Sequence, residues 1–267
     1  MKVKNLHLFV PNALTLLNLF LGCIGIVYAF DERYFVIAQK GNVESLASTF
    51  EVNSRLFISA MCVFTAAAVD FLDGYVARAL KAESVLGKEL DSLADVVTFG
   101  VLPGMIYYQL LERSFFLETG ALYTSKAWLL PAFLIPLGAA YRLARFNVQT
   151  TSKEYFTGMA APAQGLFAAS LPIIYFYNTF GASEWMLNKW LLYGLVALFT
   201  WLMVSRIPMF SFKLAGYQWK GNEKIYVFLI LCAALVASLQ FAGVAAAILL
   251  YIVFALFVIK PVEAEEV

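Results

Sequence analysis

Residues 70–95 read DFLDGYVARALKAESVLGKELDSLAD, and they set four aspartates, Asp70, Asp73, Asp91 and Asp95, at the edge of a chain that is otherwise strongly apolar. Carboxylates are expensive near hydrocarbon, so their presence there points to a site. On a helix Asp70 and Asp73 share one face, and Asp91 and Asp95 share a face of the next helix, so two adjacent helices can aim all four groups at one point. Four like charges in a partly desolvated place repel each other, and each uncompensated buried ion costs on the order of several kcal/mol. Protons or divalent cations must therefore neutralise them, and an all-oxygen set suits hard ions such as Mg²⁺ or Mn²⁺. Gly74 removes a side chain where phosphates can approach the backbone, and Arg78, one turn on, offers a fork for phosphate. The stretch thus suggests metal-assisted phosphoryl transfer.

The rest of the chain fits a polytopic all-α membrane bundle. Of 267 residues, 62% are apolar and 14% charged, and the mean hydropathy is +0.77, far from the balance of a soluble domain. The net charge of +1 offers no basic field for nucleic acid. The cysteines, Cys23, Cys62 and Cys232, stand singly in apolar runs and read as buried thiols, not as a disulfide or metal set. His7 is the only histidine, which leaves carboxylates to act as base.

Residues 1–10 read as a short interfacial helix, followed by a first span that Pro11 opens. No small-residue cleavage site follows, so a signal peptide is not expected. Further spans are expected near 55–80, 91–111, 127–143, 161–177, 190–204, 225–241 and 245–259, about eight in all. Asp91 is expected to open the third span. The turn around Gly243 is short enough that one long tilted element is the alternative to the last two spans. The acidic loop 31–54 goes outside, which collects most of the 19 lysines and arginines on the aspartate side and makes that side cytoplasmic.

The signature itself resembles a known family. An aspartate pair before Gly74, then Ala77-Arg78, eight residues, Gly87, three, Asp91, three, and Asp95 is similar to the motif of the CDP-alcohol phosphatidyltransferases. The resemblance implies that family's membrane-embedded fold as a single domain over 1–267, with a six-helix catalytic core over 1–206. Residues 207–267 then supply a cytoplasmic loop and two C-terminal spans. It further implies attack by an alcohol hydroxyl on the lipid-linked phosphorus of a CDP-lipid, with CMP leaving. By carry-over Asp70, Asp73 and Asp91 are metal ligands, Asp70, Gly74, Ala77, Arg78 and Gly87 hold the CDP-lipid, and Asp95 is the base beside Asp91 and touches metal too. A bacterial inner-membrane homodimer whose site faces the cytoplasm is also implied.

PNALTLLNLFLG at 11–22, DSLADVVTFGVLPG at 91–104, RLARFN at 142–147, GMAAPAQG at 158–165 and VSRIPMFSFK at 204–213 resemble the branch of the family that makes phosphatidylserine from CDP-diacylglycerol. That points to L-serine, with its carboxylate held by Arg142 or Arg145 and with Asn147 and Thr98 as polar helpers. GMAAPAQG departs from the branch, which favours Leu-Pro where Met159-Ala160 stands. Asn12, Thr15 and Asn18 recur at three-residue spacing and face either another helix or a headgroup. Lys213, Lys220 and Lys224 read as solvated or lipid-contacting charges. The alternatives are another acceptor, such as glycerol 3-phosphate, inositol phosphate or choline; an intramembrane prenyltransferase; and, outside enzymes, a divalent cation transporter.

Overall fold

The computed structural model describes residues 6–30, 48–116, 125–148, 156–209 and 222–258. Helix α1 spans Leu6–Phe30, α2 Ser48–Ala79, α3 Val85–Asp95, α4 Leu102–Phe116, α5 Leu134–Val148, α6 Ala161–Tyr177, α7 Ser183–Met186, α8 Lys189–Val204, α9 Glu223–Leu239 and α10 Phe241–Val258. A π-helical stretch, Val96–Val101, joins α3 to α4 without a break, and a 3₁₀ segment, Lys126–Phe133, leads into α5. The only strands among the described residues are two-residue pieces, β1 Phe156–Thr157 and β2 Pro208–Met209. They pair antiparallel and tie the approach to α6 to the exit from α8.

Four helical stretches are long and apolar enough to cross a membrane, Phe9–Phe30, Arg55–Ala79, Val85–Phe115 and Lys126–Val148. α6 is a further helix of 17 mostly apolar residues, and Lys189–Val204, Ile225–Leu239 and Phe241–Leu256 are shorter apolar helices. Each of the eight expected spans falls on a helix, and four of those helices are long and apolar enough to cross a membrane. α9 and α10 are separate helices that pack on each other, parted at Gln240, whose φ is +52°. At 1.5 Å per residue, the 31 residues of Val85–Phe115 measure about 46 Å, well beyond ~30 Å of hydrocarbon, so one end projects past the apolar slab.

Two expected boundaries move. Asp91 does not open its helix: α3 begins at Val85, capped by Ser84, whose hydroxyl accepts from the Gly87 backbone N–H at 3.0 Å. The local cap defines the start, and the aspartates ride on the inner turns, away from the helix dipole's positive end. Pro11 does not open α1 either, since the helix runs from Leu6 through it; one lost backbone bond near the end is a small defect in so long a helix. Residues 1–5, the loop 31–47 and the C-terminal tail lie outside the described residues, while 48–54 extend α2.

The core runs down the axis of the bundle through Phe99, Leu102, Ile106, Leu110, Ile135, Phe199 and Leu202, with the Phe167 and Phe199 rings 4.4 Å apart. Outside, Phe20, Val27, Leu137, Trp201 and Ile230 are each more than half exposed, a lateral apolar surface of the kind a bilayer covers. The three cysteines are free, but only Cys62 is buried; Cys23 is exposed and Cys232 intermediate, so the expectation of three buried thiols fails on the lipid-facing sides of α1 and α9.

Candidate active site

The carboxylates converge at one end of α2 and α3. Asp70, Asp91 and Asp95 each offer an oxygen, and these three atoms lie within 4.8 Å of one another. Asp95 is buried, and Asp91 Oδ1 and Asp95 Oδ1 have no hydrogen-bond partner. Asp73 stands outside this trio: its Oδ2 accepts from the Thr15 hydroxyl at 2.8 Å. Asn18 donates weakly to Asp70 Oδ1 at 3.4 Å. Thr15 and Asn18 thus bind the aspartate pair of α2 from α1, which resolves their spacing as interhelical hydrogen bonding.

Beside the trio a cavity of about 640 Å³ opens between α1, α2 and α3. Its wall includes Asp73, Gly74, Ala77, Arg78, Gly87 and Asp91, so every residue expected at the CDP-lipid lines it except Asp70, which belongs to the trio. A side chain on Gly87 would come within 3.0 Å of Ser84 Oγ and 3.1 Å of Asn12 Oδ1; glycine lets α3 lie close on α1 and keeps the floor open. At Gly74 an added Cβ would stand 3.6 Å from the Arg78 guanidinium, which therefore folds back over the backbone there.

The two arginines of α5 part company. Arg145 donates to the carbonyls of Val204 at 2.9 Å and Ser205 at 3.0 Å, tying the last turn of α5 to the end of α8. Arg142 instead lies within electrostatic reach of Asp95, of Tyr251 of α10 and of Arg145, and its Nε is buried without a hydrogen-bond partner. Asn147 Nδ2 donates to Ser92 Oγ at 2.8 Å, binding α5 to α3. Thr98 is fully buried and donates to the Asn18 backbone carbonyl at 3.2 Å. The structure thus sets Arg142 within electrostatic reach of Asp95 and shows Arg145, Asn147 and Thr98 making contacts between helices. Lys213 and Lys220 lie outside the described residues, as does the side chain of Lys224.

Two further residues stand out beyond those singled out from sequence. Tyr251 of α10 lies within electrostatic reach of Arg142, and Gln164, in GMAAPAQG, is fully buried in the first turn of α6 next to Gly165, where an added Cβ would stand 3.0 Å from the Phe99 ring. The unbroken apolar run around Tyr251 carried no signal. Gln164 did, as a lone amide among small apolar residues.

A family model of the CDP-alcohol phosphatidyltransferases matches residues 8–201. The chain belongs to that family. Among CDP-alcohol phosphatidyltransferases with curated names, a CDP-diacylglycerol–serine O-phosphatidyltransferase of Helicobacter pylori is 31% identical over 239 residues, 88% of this chain and 84% of that protein. One of Mycobacterium leprae is 37% identical over 159 residues, 57% of this chain, which spans about half (49%) of the mycobacterial protein. A Bacillus subtilis protein of the same name is 36% identical over 137 residues, 49% of this chain and 72% of that protein. Membership of this membrane-bound family, with the apolar helices above, makes the chain an integral membrane protein. Helices α9 and α10 follow the matched core.

The acidic trio fits a divalent cation. Oxygen-only donors suit Mg²⁺ or Mn²⁺, and buried carboxylate oxygens without a donor are what an ion would satisfy.

Proposed function

We propose that this chain is a phosphatidylserine synthase, transferring the phosphatidyl group of CDP-diacylglycerol to the hydroxyl of L-serine and releasing CMP. The observation that carries the reading is the trio Asp70, Asp91 and Asp95, in which Asp91 Oδ1 and Asp95 Oδ1 have no donor, at the rim of a cavity lined by Gly74, Ala77, Arg78 and Gly87. The serine synthase names of its relatives supply the acceptor.

The cavity takes the cytidine diphosphate, with Arg78 donating to phosphate oxygens and the glycines letting the backbone come close. The two acyl chains leave sideways into the bilayer. Asp70, Asp91 and Asp95 hold the divalent cation, with Asp73 at the cavity wall; when bound, the ion offsets charge developing on the pyrophosphate. Arg142 holds the carboxylate of serine so that its hydroxyl faces the lipid-linked phosphorus. Asp95 accepts the hydroxyl proton as the serine oxygen bonds to phosphorus and the bond to CMP breaks, the electron pair leaving with CMP. Arg145, Asn147 and Thr98 hold α5, α8 and the π-helical stretch in place around the acceptor.

The active unit is a homodimer in the bacterial inner membrane, its site facing the cytoplasm, where serine and CMP exchange. The catalytic core is 1–206, and α9 and α10 close the side where Tyr251 meets Arg142. CMP release by the purified protein tests the reading, with CDP-diacylglycerol, Mg²⁺ or Mn²⁺, and serine, glycerol 3-phosphate, inositol phosphate or choline. Serine-dependent release that stops on chelation is expected. Release with a different alcohol alone would overturn the acceptor, and no release with any would overturn the chemistry.

A further inference from the structure

Gln164 has zero exposure, and neither its amide oxygen nor its amide nitrogen has a hydrogen-bond partner. Burying a carboxamide with both ends unpaired is costly, and native interiors seldom tolerate it without a reason. The segments around it fix where it stands. An added Cβ at Gly165 would lie 3.0 Å from the Phe99 ring, and one at Gly100 would lie 3.0 Å from Ala139 Cβ. α6 at 165, the π-helical stretch at 99–100 and α5 at 139 therefore share one level. Gln164 adjoins that level, Arg142 stands about one turn along α5 from it, and Asp95 one turn before Phe99. Asp95 Oδ1, Arg142 Nε and both amide atoms of Gln164, all without partners, thus stand on three packed segments within about one helical turn of a shared level.

These groups differ in what they can hold. Arg142 suits a carboxylate, and Asp95 is committed to the cation and to the hydroxyl proton. An ammonium beside Arg142 needs an acceptor that adds no further charge, and a carboxamide oxygen is one. Resting on the synthase reading above, we propose that Gln164 is a specificity-determining residue whose amide oxygen accepts from the α-ammonium of the amino-acid acceptor. The unpaired amide is then the feature that separates serine from hydroxy acids of the same shape lacking the amine.

Gln164→Met tests this, because it keeps length and volume while removing the amide. The acceptors are L-serine and 3-hydroxypropanoate, which is serine without its amine. The expected result is a kcat/KM for serine at least tenfold lower, on the order of what one hydrogen bond to a charged group contributes. The value for 3-hydroxypropanoate and the KM for CDP-diacylglycerol should stay within twofold. The variant should also unfold at an equal or higher temperature than wild type, since it removes an unsatisfied group. Equal loss for both acceptors, no loss for either, or a variant that melts earlier or fails to fold would each overturn the proposal, the last because the amide would then be holding the fold. A wild-type protein inactive with serine would instead overturn the synthase reading beneath it.

Discussion

The two sides of the acidic trio are built in opposite ways. Towards α1 and the start of α3 there is an open cavity, shaped by glycines and a capped helix end, with two of its side chains anchored in place, Asp73 by Thr15 and Ser84 by Gly87. Towards α5 and α6 the helices are closely packed, and Arg142 and Gln164 keep polar atoms without partners. An open cleft suits a large ligand that brings its own charges, whereas unsatisfied atoms in a closed interior select a small polar one, because a wrong occupant leaves them unpaired. Asp95 stands where the two sides meet, so its loss should strike both. Asp95→Asn is expected to lower CMP release by about a thousandfold or more with every acceptor, within the range one acid–base group supplies. A loss seen with serine alone would erase the distinction between the sides.

The arginines sharpen the contrast within a single helix. Arg142→Gln should cost about a hundredfold in kcat/KM for serine and leave the KM for CDP-diacylglycerol unchanged, since a charge-assisted pair to the carboxylate is lost. Arg145→Gln removes donors to Val204 and Ser205 and should appear first as a lower unfolding temperature, about 1–3 kcal/mol of stability. Kinetics and thermal melts of both variants would reverse the assignment if Arg145→Gln raised the serine KM without touching stability.

The meeting of Asp70, Asp91 and Asp95 was legible because helical spacing is local, whereas Asp73, expected at the same point, pairs with Thr15 of α1 outside the trio. The positions of the apolar helices were legible from apolar run length alone. The start of α3 was not, because Lys88 and Glu89 read equally well as loop or helix, and the deciding cap, Ser84, needs its bond to Gly87 to be seen. The π-helical turn after Asp95 also left no trace, since VVTFGV fits any buried helix; its wider turn changes which residues below the aspartates face inward. Arg142 and Arg145 looked equivalent because α8, whose carbonyls engage Arg145, comes some sixty residues later.

The open side breaks most directly at its floor. Gly87→Ala places a methyl 3.0 Å from Ser84 Oγ and 3.1 Å from Asn12 Oδ1, so α3 must shift outward by a few tenths of an ångström. A rise of about tenfold in the KM for CDP-diacylglycerol is expected, with the serine KM held, because the methyl acts on the first turn of α3, about two turns before Asp95. Steady-state kinetics varying each substrate in turn checks it, and a parallel rise in both constants would mean that α3 moves the trio as well.

Thr15→Val should give the smallest effect and the clearest view of what pairing on that side is for. The Thr15 hydroxyl reaches Asp73 across two helices at 2.8 Å, and valine keeps the shape while removing the donor. Interhelical hydrogen bonds in membrane proteins contribute about 0.6 kcal/mol on average and up to about 1.7 kcal/mol. A loss of about 1 kcal/mol, or roughly fivefold in kcat/KM for CDP-diacylglycerol, follows if the bond only aims Asp73 at the cavity. Asp73 would then keep its charge but sample more orientations, so raising Mg²⁺ or Mn²⁺ should not restore the rate. Full recovery at higher metal would instead make Asp73 a ligand whose affinity Thr15 tunes, joining it to Asp70, Asp91 and Asp95. The cavity wall and the ion site would then be one continuous structure.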